Sequence, residues 1–434
     1  MVFSALSVAG SDSGGGAGIQ ADLKTFAIHR VHGLSVIVAL TAQNTRKVTD
    51  IFELPTNFIE SQFQALKKDF QINAAKTGML YSKEIISIVS RNLGDYPLVV
   101  DPVLIAESGA QLLKEEAIET LRKKLLPKAS LATPNLFEAE KLSRIKIKGI
   151  EDMKKACREI AKHGCSVLVK GGHLKAVDVL YHEGKFYEFE GEKLAGKFHG
   201  AGCTFSASIA ANLAKGEDLI TAVKNAKKFI QTALENSTKI GRGEVKVLNQ
   251  YQHFLKEAER FFVIESLRKA VEIIEENKEF YKLIPEVGMN VCFAIEGAET
   301  LNDVAGVRGR IVKFKDRAKA VGCVEFGASR HIARVVLAAM SVDKNYRAAM
   351  NIRYSRELIQ KIKTNKALKF KVSSFRREEE PPGEKTMEWG TKDAIKKLGK
   401  MPDIIYDDGA IGKEAMIRII GRTPEEVIGK VGLI

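Results

Sequence analysis

The amino-acid sequence predicts an α/β protein with two consecutive domains, and three observations support this prediction. The chain has 434 residues, which is too long for one ordinary hydrophobic core. Up to about residue 248, short apolar runs alternate with amphipathic helical stretches, which is typical of a mainly parallel sheet covered by helices on both faces. A new helical periodicity then begins, with apolar side chains at Phe261, Ile264, Leu267, Val271 and Ile274. We therefore predict domains at 1–248 and 261–434, joined by a linker at 249–260.

The composition indicates a soluble, well-packed enzyme in a reducing compartment. Hydrophobic residues make up 45% and charged residues 28% of the chain, and no apolar run reaches the roughly 18 residues that a membrane span requires. The first residues lack a basic segment before their apolar stretch, so they are interpreted as a strand rather than a signal peptide. Five cysteines without paired CxxC spacing argue against disulfides and a zinc site. We expect a cytoplasmic protein.

The net charge of +14 has two interpretations, because the basic residues are interleaved with glutamates rather than gathered in blocks. One is a charge-rich surface of the kind found in heat-adapted proteins. The other is attraction of anionic phosphate substrates. We expect small-molecule substrates, no nucleic-acid or membrane partner, and a homo-oligomer, although the sequence does not determine the oligomeric state.

In the first domain, polar and glycine-rich segments follow the predicted strands. The strand-like runs include Ser35 to Leu40, Leu98 to Val100 and Ser166 to Val169. Four segments come at strand ends: Gly10–Asp12, Thr41–Asn44, Asp101–Pro102 and Lys170–Gly172. Ligands bind outside the carboxyl ends of the strands in parallel sheets, so we expect an active site there.

The segment Gly10–Gly18, here called the glycine loop, precedes a predicted helix at Ile19–Ile28. Glycine lets the backbone approach a ligand closely, and the amides at the start of a helix can face an anion or a polar ring. A glycine-rich loop alone is weak evidence, and a tight structural turn explains it equally well.

A second glycine segment, His199 to Phe205, opens an alanine-rich helix that we predict to extend to Leu213. Small residues at a helix N-terminus form an anion hole where charge develops during phosphoryl transfer. Cys203 lies at that N-terminus, where the pKa of a thiol is lowered and the thiolate can act as a general base. The alternative is a buried, inert cysteine.

These segments resemble the hydroxymethylpyrimidine/phosphomethylpyrimidine kinase family, whose members have the ribokinase-like fold. The resemblance rests on motifs that occur in order along the first domain. They are GGGAGIQADLKT at 14–25, TAQNT at 41–45, KTGML at 76–80, TPN at 133–135, KGGH at 170–173 and GxGCT at 200–204. Sugar kinases of this fold have Asp where this chain has Cys203, and pyridoxal kinases lack the AGIQAD segment.

The resemblance implies ATP-dependent, Mg²⁺-assisted phosphorylation of hydroxymethylpyrimidine and then of its monophosphate. It implies that Gln43 hydrogen-bonds the aminopyrimidine in a pocket shaped by Gly10, Ala17, Asp22 and Met79, and that Cys203 is the catalytic base. The residues implied at the nucleotide phosphates are Asn135, Glu138, Lys170, Gly200, Gly202 and Lys227, with Glu138 reaching Mg²⁺ through water. A helix cap followed by a surface acid is the alternative explanation of Asn135 and Glu138.

Two positions depart from the family pattern. Ala201 stands where the family usually has Thr between the glycines, and Glu107 stands in a segment that usually carries Lys. If that Lys steadies a phosphate, Glu107 affects the second phosphorylation more than the first.

The second domain is rich in arginine near small or acidic residues. Arg308 and Arg310 lie in a glycine-containing segment, and Phe326–His331 precedes a predicted apolar helix at Ile332–Met340. We predict Ser329 as the N-cap, with Arg330 and His331 in the first turn, which is a suitable diphosphate site. The alternative for His331 is a surface or capping histidine.

Two further features have a structural and a functional interpretation. Trp389 is more often a core residue than a stacking platform. The Asp407-Asp408-Gly409 segment could bind Mg²⁺, although a turn is the commoner role of Asp-Gly.

These residues resemble the ThiN-type thiamine-phosphate synthase family. The segments concerned are EVGMNVCFAIE at 286–296, DVAGV at 303–307, FGASRH at 326–331, AAMNIRYS at 348–355 and TMEWG at 386–390. The resemblance implies a three-layer α/β/α domain with a mixed sheet. It also implies condensation of the pyrimidine diphosphate with thiazole phosphate, with Arg310 and His331 as the catalytic pair.

Two alternatives remain at this point. The second domain could be a thiamine-phosphate sensor, although the chain has no candidate DNA-binding module and retains Arg310 and His331. The first domain could phosphorylate another small alcohol such as pyridoxal, although Gln43 and Cys203 favour the pyrimidine.

Overall fold

The computed structural model describes residues 2–106, 109–172, 176–365 and 369–434, without the side chain of His253. The chain divides into two compact units, Met1–Phe254 and Leu255–Ile434. No helix among the described residues is both long enough and apolar enough to cross a membrane.

The first unit alternates strands and helices along most of its length. Its strands are β1 (Ser4–Asp12), β2 (His32–Gln43), β3 (Val48–Glu53), β4 (Ala74–Thr77), β5 (Leu98–Val100), β6 (Leu131–Ala132), β7 (Ser166–Val169), β8 (Asp178–His182), β9 (Lys185–Phe189), β10 (Phe198–His199) and β11 (Lys246–Val247). Its helices are α1 (Gly18–Ile28), α2 (Thr56–Asp69), α3 (Lys83–Asn92), α4 (Ile118–Thr120), α5 (Leu136–Ser143), α6 (Ile150–Ala161), α7 (Ala201–Ala214) and α8 (Leu219–Glu235).

Nine of these strands form one sheet in the order β3-β2-β1-β4-β5-β6-β7-β8-β9, and β10 pairs separately with β11. The central strands from β2 to β7 are parallel, whereas β3, β8 and β9 are antiparallel to their neighbours. The mainly parallel sheet predicted from the strand–helix alternation is therefore confirmed.

Helices cover both faces of this sheet, because successive strand residues point to opposite sides. In β1, Leu6 and Val8 join a core with side chains of α2, α3, α5 and α6, such as Phe63. Ala5 belongs to the opposite core, which includes Phe26 of α1 and side chains of α7 and α8. The unit is therefore a three-layer α/β/α domain.

The second unit has a mixed sheet. Its helices are α9 (Gln252–Glu276), α10 (His331–Val342), α11 (Arg356–Thr364), α12 (Thr386–Leu398) and α13 (Pro424–Gly432). Its strands are β12 (Val291–Ala294), β13 (Val304–Val307), β14 (Ile311–Phe314), β15 (Arg317–Ala320), β16 (Val324–Phe326), β17 (Ala348–Arg353), β18 (Val372–Ser374), β19 (Ile404–Asp407) and β20 (Met416–Gly421).

Seven strands follow the order β16-β13-β12-β17-β20-β19-β18, and β14 and β15 form a separate hairpin. All pairs in the seven-stranded sheet are antiparallel except β18 with β19. One face packs against α9, α11 and α13, and the other against α10 and α12. The predicted three-layer domain with a mixed, largely antiparallel sheet is confirmed.

Helix α9 differs in detail from the sequence prediction. It begins at Gln252, so most of the predicted linker is helical. Its buried side is formed by Val263, Leu267, Ala270, Val271 and Ile274. Phe261, which we predicted on the buried face, is 70% exposed. Helix α9 has two overlapping apolar stripes, one containing Phe261 and the other Val263. Only the stripe that contains Val263 packs against the sheet.

Candidate active sites

The first unit contains a cavity of about 340 Å³ at the carboxyl ends of its parallel strands. The sequence-predicted residues that line it are Gly10, Ala17, Gln43, Met79, Asn135, Glu138, Lys170, Gly200, Gly202, Cys203 and Lys227. These residues come from distant parts of the chain, and the fold brings them together at the edge where α/β sheets bind ligands.

The carboxylate of Asp12 organises the glycine loop. It accepts hydrogen bonds from the backbone amides of Gly14 at 2.8 Å, Gly16 at 3.0 Å and Ala17 at 2.8 Å, and from His199 Nε2 at 2.8 Å. Burial favours a higher pKa for Asp12, but His199 and the loop amides outweigh burial and lower it. We did not single out this pair from the sequence, because 187 residues separate its members.

The glycine loop packs directly against the segment Gly200–Cys203, here called the anion loop. A Cβ atom on Gly200, whose φ is +84°, would lie 1.8 Å from the carbonyl oxygen of Gly16. Only glycine fits that approach. Helix α7 begins at Ala201, so the amides of Ala201, Gly202 and Cys203 belong to its first turn and have no partners within the helix. These amides can bind an anion in the cavity.

The Cys203 thiol does not have the lowered pKa that we predicted from its helix position. Burial raises the pKa of this thiol to about 11, although the charge of Lys76 and the amide of Gly18 act in the opposite direction. Asp22 and Asp101 raise it further. Desolvation is therefore the largest influence on the pKa of this thiol.

Asp22, which the family resemblance implies at the substrate pocket, is not among the residues that line the cavity. It forms an ion pair with Lys76, with 2.8 Å between Lys76 Nζ and Asp22 Oδ2, and both side chains are fully buried. The Ser7 hydroxyl also donates to Asp22. Burial favours a lower pKa for Lys76, but the charges of Asp22, Cys203 and Asp101 raise it above its usual range. This pair supports the site from inside the domain.

Gln43 and Met79 lie at the other end of the cavity. The Gln43 amide oxygen accepts from the Thr41 hydroxyl at 3.2 Å, and its amide nitrogen lies 3.3 Å from His199 Nε2. The Gly10 amide donates to the Met79 carbonyl at 3.2 Å. The arrangement offers an amide beside apolar surface, which suits a planar heterocycle.

Three ionisable groups converge where the nucleotide phosphates are expected. Lys170 Nζ donates to Asp101 Oδ1 at 2.9 Å, and both side chains are largely buried. Burial and Asp101 raise the pKa of Glu138 to about 7, although Lys170 opposes them. Asn135 and Glu138 form a capping box at the start of α5. The capping part of the alternative is thus correct, but Glu138 is buried rather than a surface acid, and it lines the cavity.

Lys227 is neutralised by a buried carboxylate. Its Nζ lies 2.6 Å from Asp178 Oδ2, and it also donates to the carbonyl of Ala176. Ala201 lines the cavity, whereas Glu107 lies outside the described residues.

The second unit contains a cavity of about 490 Å³ that includes both predicted catalytic residues, Arg310 and His331. Helix α10 begins at His331 with Arg330 as its N-cap, and Ser329 does not cap it as predicted. Ser329 precedes the N-cap residue Arg330 and is buried. Arg330 and His331 still lie at the helix N-terminus and line the cavity.

The electrostatic environment of His331 is strongly positive. Burial, followed by the charges of Arg310, Arg334, Arg418 and Arg377, lowers the pKa of its imidazole. Arg310 lies in the turn between β13 and β14, with φ of +73°, and its guanidinium donates to the carbonyl of Val287. A bound anion would offset this positive charge and favour protonation of His331.

Two arginines that line this cavity flank a buried carboxylate behind the lining, and the three residues are here called the arginine corner (Arg377, Asp407 and Arg418). Asp407 Oδ1 accepts from Arg377 Nε at 2.5 Å, and Asp407 Oδ2 accepts from Arg418 Nη1 at 2.7 Å. Both carboxylate oxygens are thus occupied by guanidinium groups. This arrangement disfavours the Mg²⁺ role that we considered for Asp407.

Two remaining expectations concern metals and Trp389. No group of three or more His, Cys, Asp or Glu side chains within the described ranges could hold a metal ion. Trp389, on α12, is partly buried and packs edge-on against Phe375 of the core, with 6.0 Å between ring centroids. Its position agrees with the core interpretation.

Both halves of the chain match known families. The family described as phosphomethylpyrimidine kinase matches residues 12–248, and the family described as thiamine-phosphate synthase ThiN matches residues 266–432. The chain is 36% identical over 433 residues to the bifunctional thiamine biosynthesis protein ThiDN of Methanocaldococcus jannaschii, covering 99% of this chain and 97% of that protein.

Single-domain relatives match the first half. The hydroxymethylpyrimidine/phosphomethylpyrimidine kinase of Aquifex aeolicus is 44% identical over 247 residues, covering 55% of this chain and 97% of the relative. A structure of the ADP complex of Bacillus subtilis pyridoxal kinase superposes with a TM-score of 0.55 at 36% identity, covering 59% of this chain and 100% of that one. With both families matched in order and one relative matched over almost its whole length, the chain belongs to the family of bifunctional thiamine biosynthesis proteins that join a phosphomethylpyrimidine kinase to a ThiN-type thiamine-phosphate synthase.

Proposed function

We propose that the cavity of the first unit phosphorylates hydroxymethylpyrimidine and then its monophosphate, using ATP, and that the cavity of the second unit joins the resulting diphosphate to thiazole phosphate. The observation that carries the kinase assignment is the contact between the glycine loop and the anion loop around one cavity that also contains Gln43 and Cys203. The condensation releases pyrophosphate and yields thiamine phosphate.

In the kinase site, the pyrimidine ring lies against Met79, Gly10 and Ala17, with the Gln43 amide hydrogen-bonded to the ring. The hydroxymethyl oxygen then points toward Cys203 and the amides of the anion loop. The alcohol oxygen attacks the γ-phosphorus of ATP, the bond to ADP breaks, and Cys203 takes the alcohol proton as its thiolate form. The anion loop amides bind the oxygens of the transferring phosphoryl group, where charge is spread in the transition state.

The charged groups near the phosphates fit a magnesium ion that is held mainly by the nucleotide and by water. Mg²⁺ in such sites keeps several waters and uses one or two carboxylates. Glu138 accepts from the backbone amides of Asn135 and Leu104 and also lines the cavity, where its carboxylate could accept from a metal-bound water. The ion would neutralise phosphate charge, while Lys170, held by Asp101, contacts phosphate oxygens directly.

In the synthase site, the first turn of α10 and the side chains of Arg310 and His331 bind the diphosphate of the pyrimidine. Departure of pyrophosphate leaves a pyrimidine cation, which the thiazole nitrogen captures. The helix amides, the Arg310 guanidinium and a protonated His331 stabilise the charge that develops on the leaving group.

One incubation tests both assignments. The protein is incubated with hydroxymethylpyrimidine, thiazole phosphate, ATP and Mg²⁺. It should form ADP, pyrophosphate and thiamine phosphate, which are detected by chromatography. Formation of pyrimidine diphosphate without thiamine phosphate would support the sensor alternative for the second unit. Because solved pyridoxal kinases share the fold, pyridoxal is the comparison substrate. A kcat/KM for pyridoxal above that for hydroxymethylpyrimidine would contradict the proposed substrate of the first unit.

A further inference from the structure

The condensation joins two phosphorylated substrates, so the synthase cavity has to hold two anionic groups at once. One positive region is the N-terminus of α10 with Arg310, Arg330 and His331. The arginine corner supplies a second one from different elements. Arg418 lies on β20, Asp407 ends β19, and Arg377 lies in a short helical turn after β18.

The arginine corner is a built site. The Arg418 side chain is only 2% exposed, yet it lines the cavity. Its Nη1 donates to Asp407, whereas its buried Nε has no hydrogen-bond partner in the described part of the chain. An unpaired buried donor on a guanidinium costs free energy, and an anion in the cavity that Arg418 lines would offset its positive charge. The Phe375 ring, 5.4 Å from the Arg418 guanidinium carbon, helps to fix its orientation.

Asp407 is the positioning residue of this corner, because it contacts both arginines and is fully buried behind the cavity lining. Arg377 receives additional support, since its Nη2 donates to the carbonyl of Glu414 at 3.2 Å. The guanidinium groups therefore have defined directions before any ligand binds. Preorganised donors of this kind suit the tetrahedral oxygens of a phosphate.

The charge of each region indicates which phosphate it takes. Lys413 and Glu414 also line the cavity beside the arginine corner. Together with Arg377, Arg418 and Asp407 they leave one positive charge in excess. The region around α10 has Arg310, Arg330 and the helix N-terminus, with no carboxylate of its own among the lining residues. The more positive region fits the diphosphate, and the partly neutralised corner fits a monophosphate.

We propose that Arg377 and Arg418, held by Asp407, form the subsite for the phosphate of the thiazole substrate. The inference rests on the synthase activity proposed above and adds the location of its second anion. The phosphate oxygens accept from the guanidinium groups of Arg377 and Arg418, which fixes the thiazole ring relative to the pyrimidine carbon that it attacks.

The test measures steady-state kinetics of condensation in the full chain for Arg377→Gln and Arg418→Gln. The control is Arg376→Gln, since Arg376 is exposed and does not line the cavity. A charge-assisted hydrogen bond contributes about 1.5–3 kcal/mol, so the KM for thiazole phosphate should rise about 10- to 100-fold. The KM for pyrimidine diphosphate should change by less than about threefold, which is small beside the rise expected for thiazole phosphate. Arg310→Ala should show the opposite selectivity.

A second arm uses the thiazole alcohol, which lacks the phosphate. The wild type and Arg377→Gln should use this alcohol with the same kcat/KM, which a merely structural loss would not produce. Equal KM increases for both substrates, a selective increase for the diphosphate, or unchanged kinetics would each overturn the subsite. Arg377 lies on a surface turn, so its variant remains informative if Arg418→Gln fails to fold. If the wild type itself forms no thiamine phosphate, the proposed function fails rather than the subsite.

Discussion

The two cavities handle positive charge differently. In the first unit, the lysine side chains in and behind the kinase cavity are individually paired with buried carboxylates. The pairs are Lys76 with Asp22, Lys170 with Asp101 and Lys227 with Asp178, and His199 lies against Asp12. In the synthase cavity, Arg310, Arg330, Arg377, Arg418 and Lys413 share the lining with Glu414 as the one carboxylate among the described lining residues.

This difference follows from the substrates that each site receives. ATP enters a kinase site with much of its phosphate charge already neutralised by a metal ion, so the protein mainly has to position groups. Under the proposed function, the synthase site binds a diphosphate and a monophosphate together and then stabilises departing pyrophosphate. An excess of fixed cations therefore suits condensation, whereas paired cations and backbone amides suit phosphoryl transfer.

The largest change in rate that we predict for either site is that of the Cys203 variant in the kinase site. Cys203→Ala should lower kinase kcat by about 10²–10⁴-fold, the usual cost of losing a general base, while hydroxymethylpyrimidine still binds. Because burial raises the thiol pKa to about 11, the reactive thiolate becomes more abundant as pH rises. Wild-type kinase activity should therefore increase from pH 7 to pH 9, and the variant should not show this increase.

Steady-state rates across that pH range and calorimetric binding check this prediction. Cys203→Ala should leave condensation of supplied pyrimidine diphosphate at the wild-type rate. Near-normal kinase turnover in the variant would show that Cys203 is only a packing residue. The anion loop would then contribute to the reaction mainly through its backbone amides.

A comparable loss of activity is expected when catalytic residues of the synthase site are replaced. Arg310→Ala or His331→Ala should slow condensation by about 10²–10³-fold, because each removes a donor to the leaving diphosphate. The kinase rates of both variants should stay within the error of the wild type. Arg308→Ala is a matched control, since Arg308 is exposed on the same turn and is not among the cavity-lining residues. Normal pyrophosphate release by the His331 variant would support the alternative of a surface histidine.

A smaller effect separates the metal dependence of the two sites. Glu138, whose pKa is raised to about 7 by burial, loses its negative charge as pH falls below that value. The Mg²⁺ concentration needed for half-maximal kinase rate should therefore rise between pH 8 and pH 6. Glu138→Gln should raise it about 10- to 100-fold at pH 8, the usual effect of losing a residue that orients metal ligands, and should remove most of its pH dependence. The same variant should leave condensation unchanged, and a metal requirement equal to that of the wild type would exclude Glu138 from the metal site.

The sequence predicted both sheets, and every predicted site residue except Asp22 lines one of the two cavities, because these features follow from periodicity and from motifs at strand ends. Helix α10 and the strands at 98–100 and 166–169 are examples of local patterns that the structure retains. The predictions for individual side chains were wrong where the environment of the side chain depends on residues that are distant in the sequence. Asp22 points to Lys76, which lies 54 positions away, rather than into the cavity.

The pKa of Cys203 could not be predicted for the same reason. A helix N-terminus is visible in a sequence, but the desolvation and the carboxylates that outweigh it arise only on folding. The arginine corner was also missed, because its members lie on three separate elements and only Asp407 belonged to a recognisable segment. Pairs that are distant in the sequence and buried give no local signal.

Under the proposed function, one chain contains two complete active sites, with Cys203 essential in one and His331 in the other. The most direct test mixes the Cys203→Ala protein with the His331→Ala protein and supplies hydroxymethylpyrimidine, thiazole phosphate, ATP and Mg²⁺. Each variant alone should form almost no thiamine phosphate, and the mixture should restore its formation, since diphosphate released by one protein is used by the other. A mixture that stays inactive, although each variant performs its remaining reaction at the wild-type rate, would contradict two independent sites.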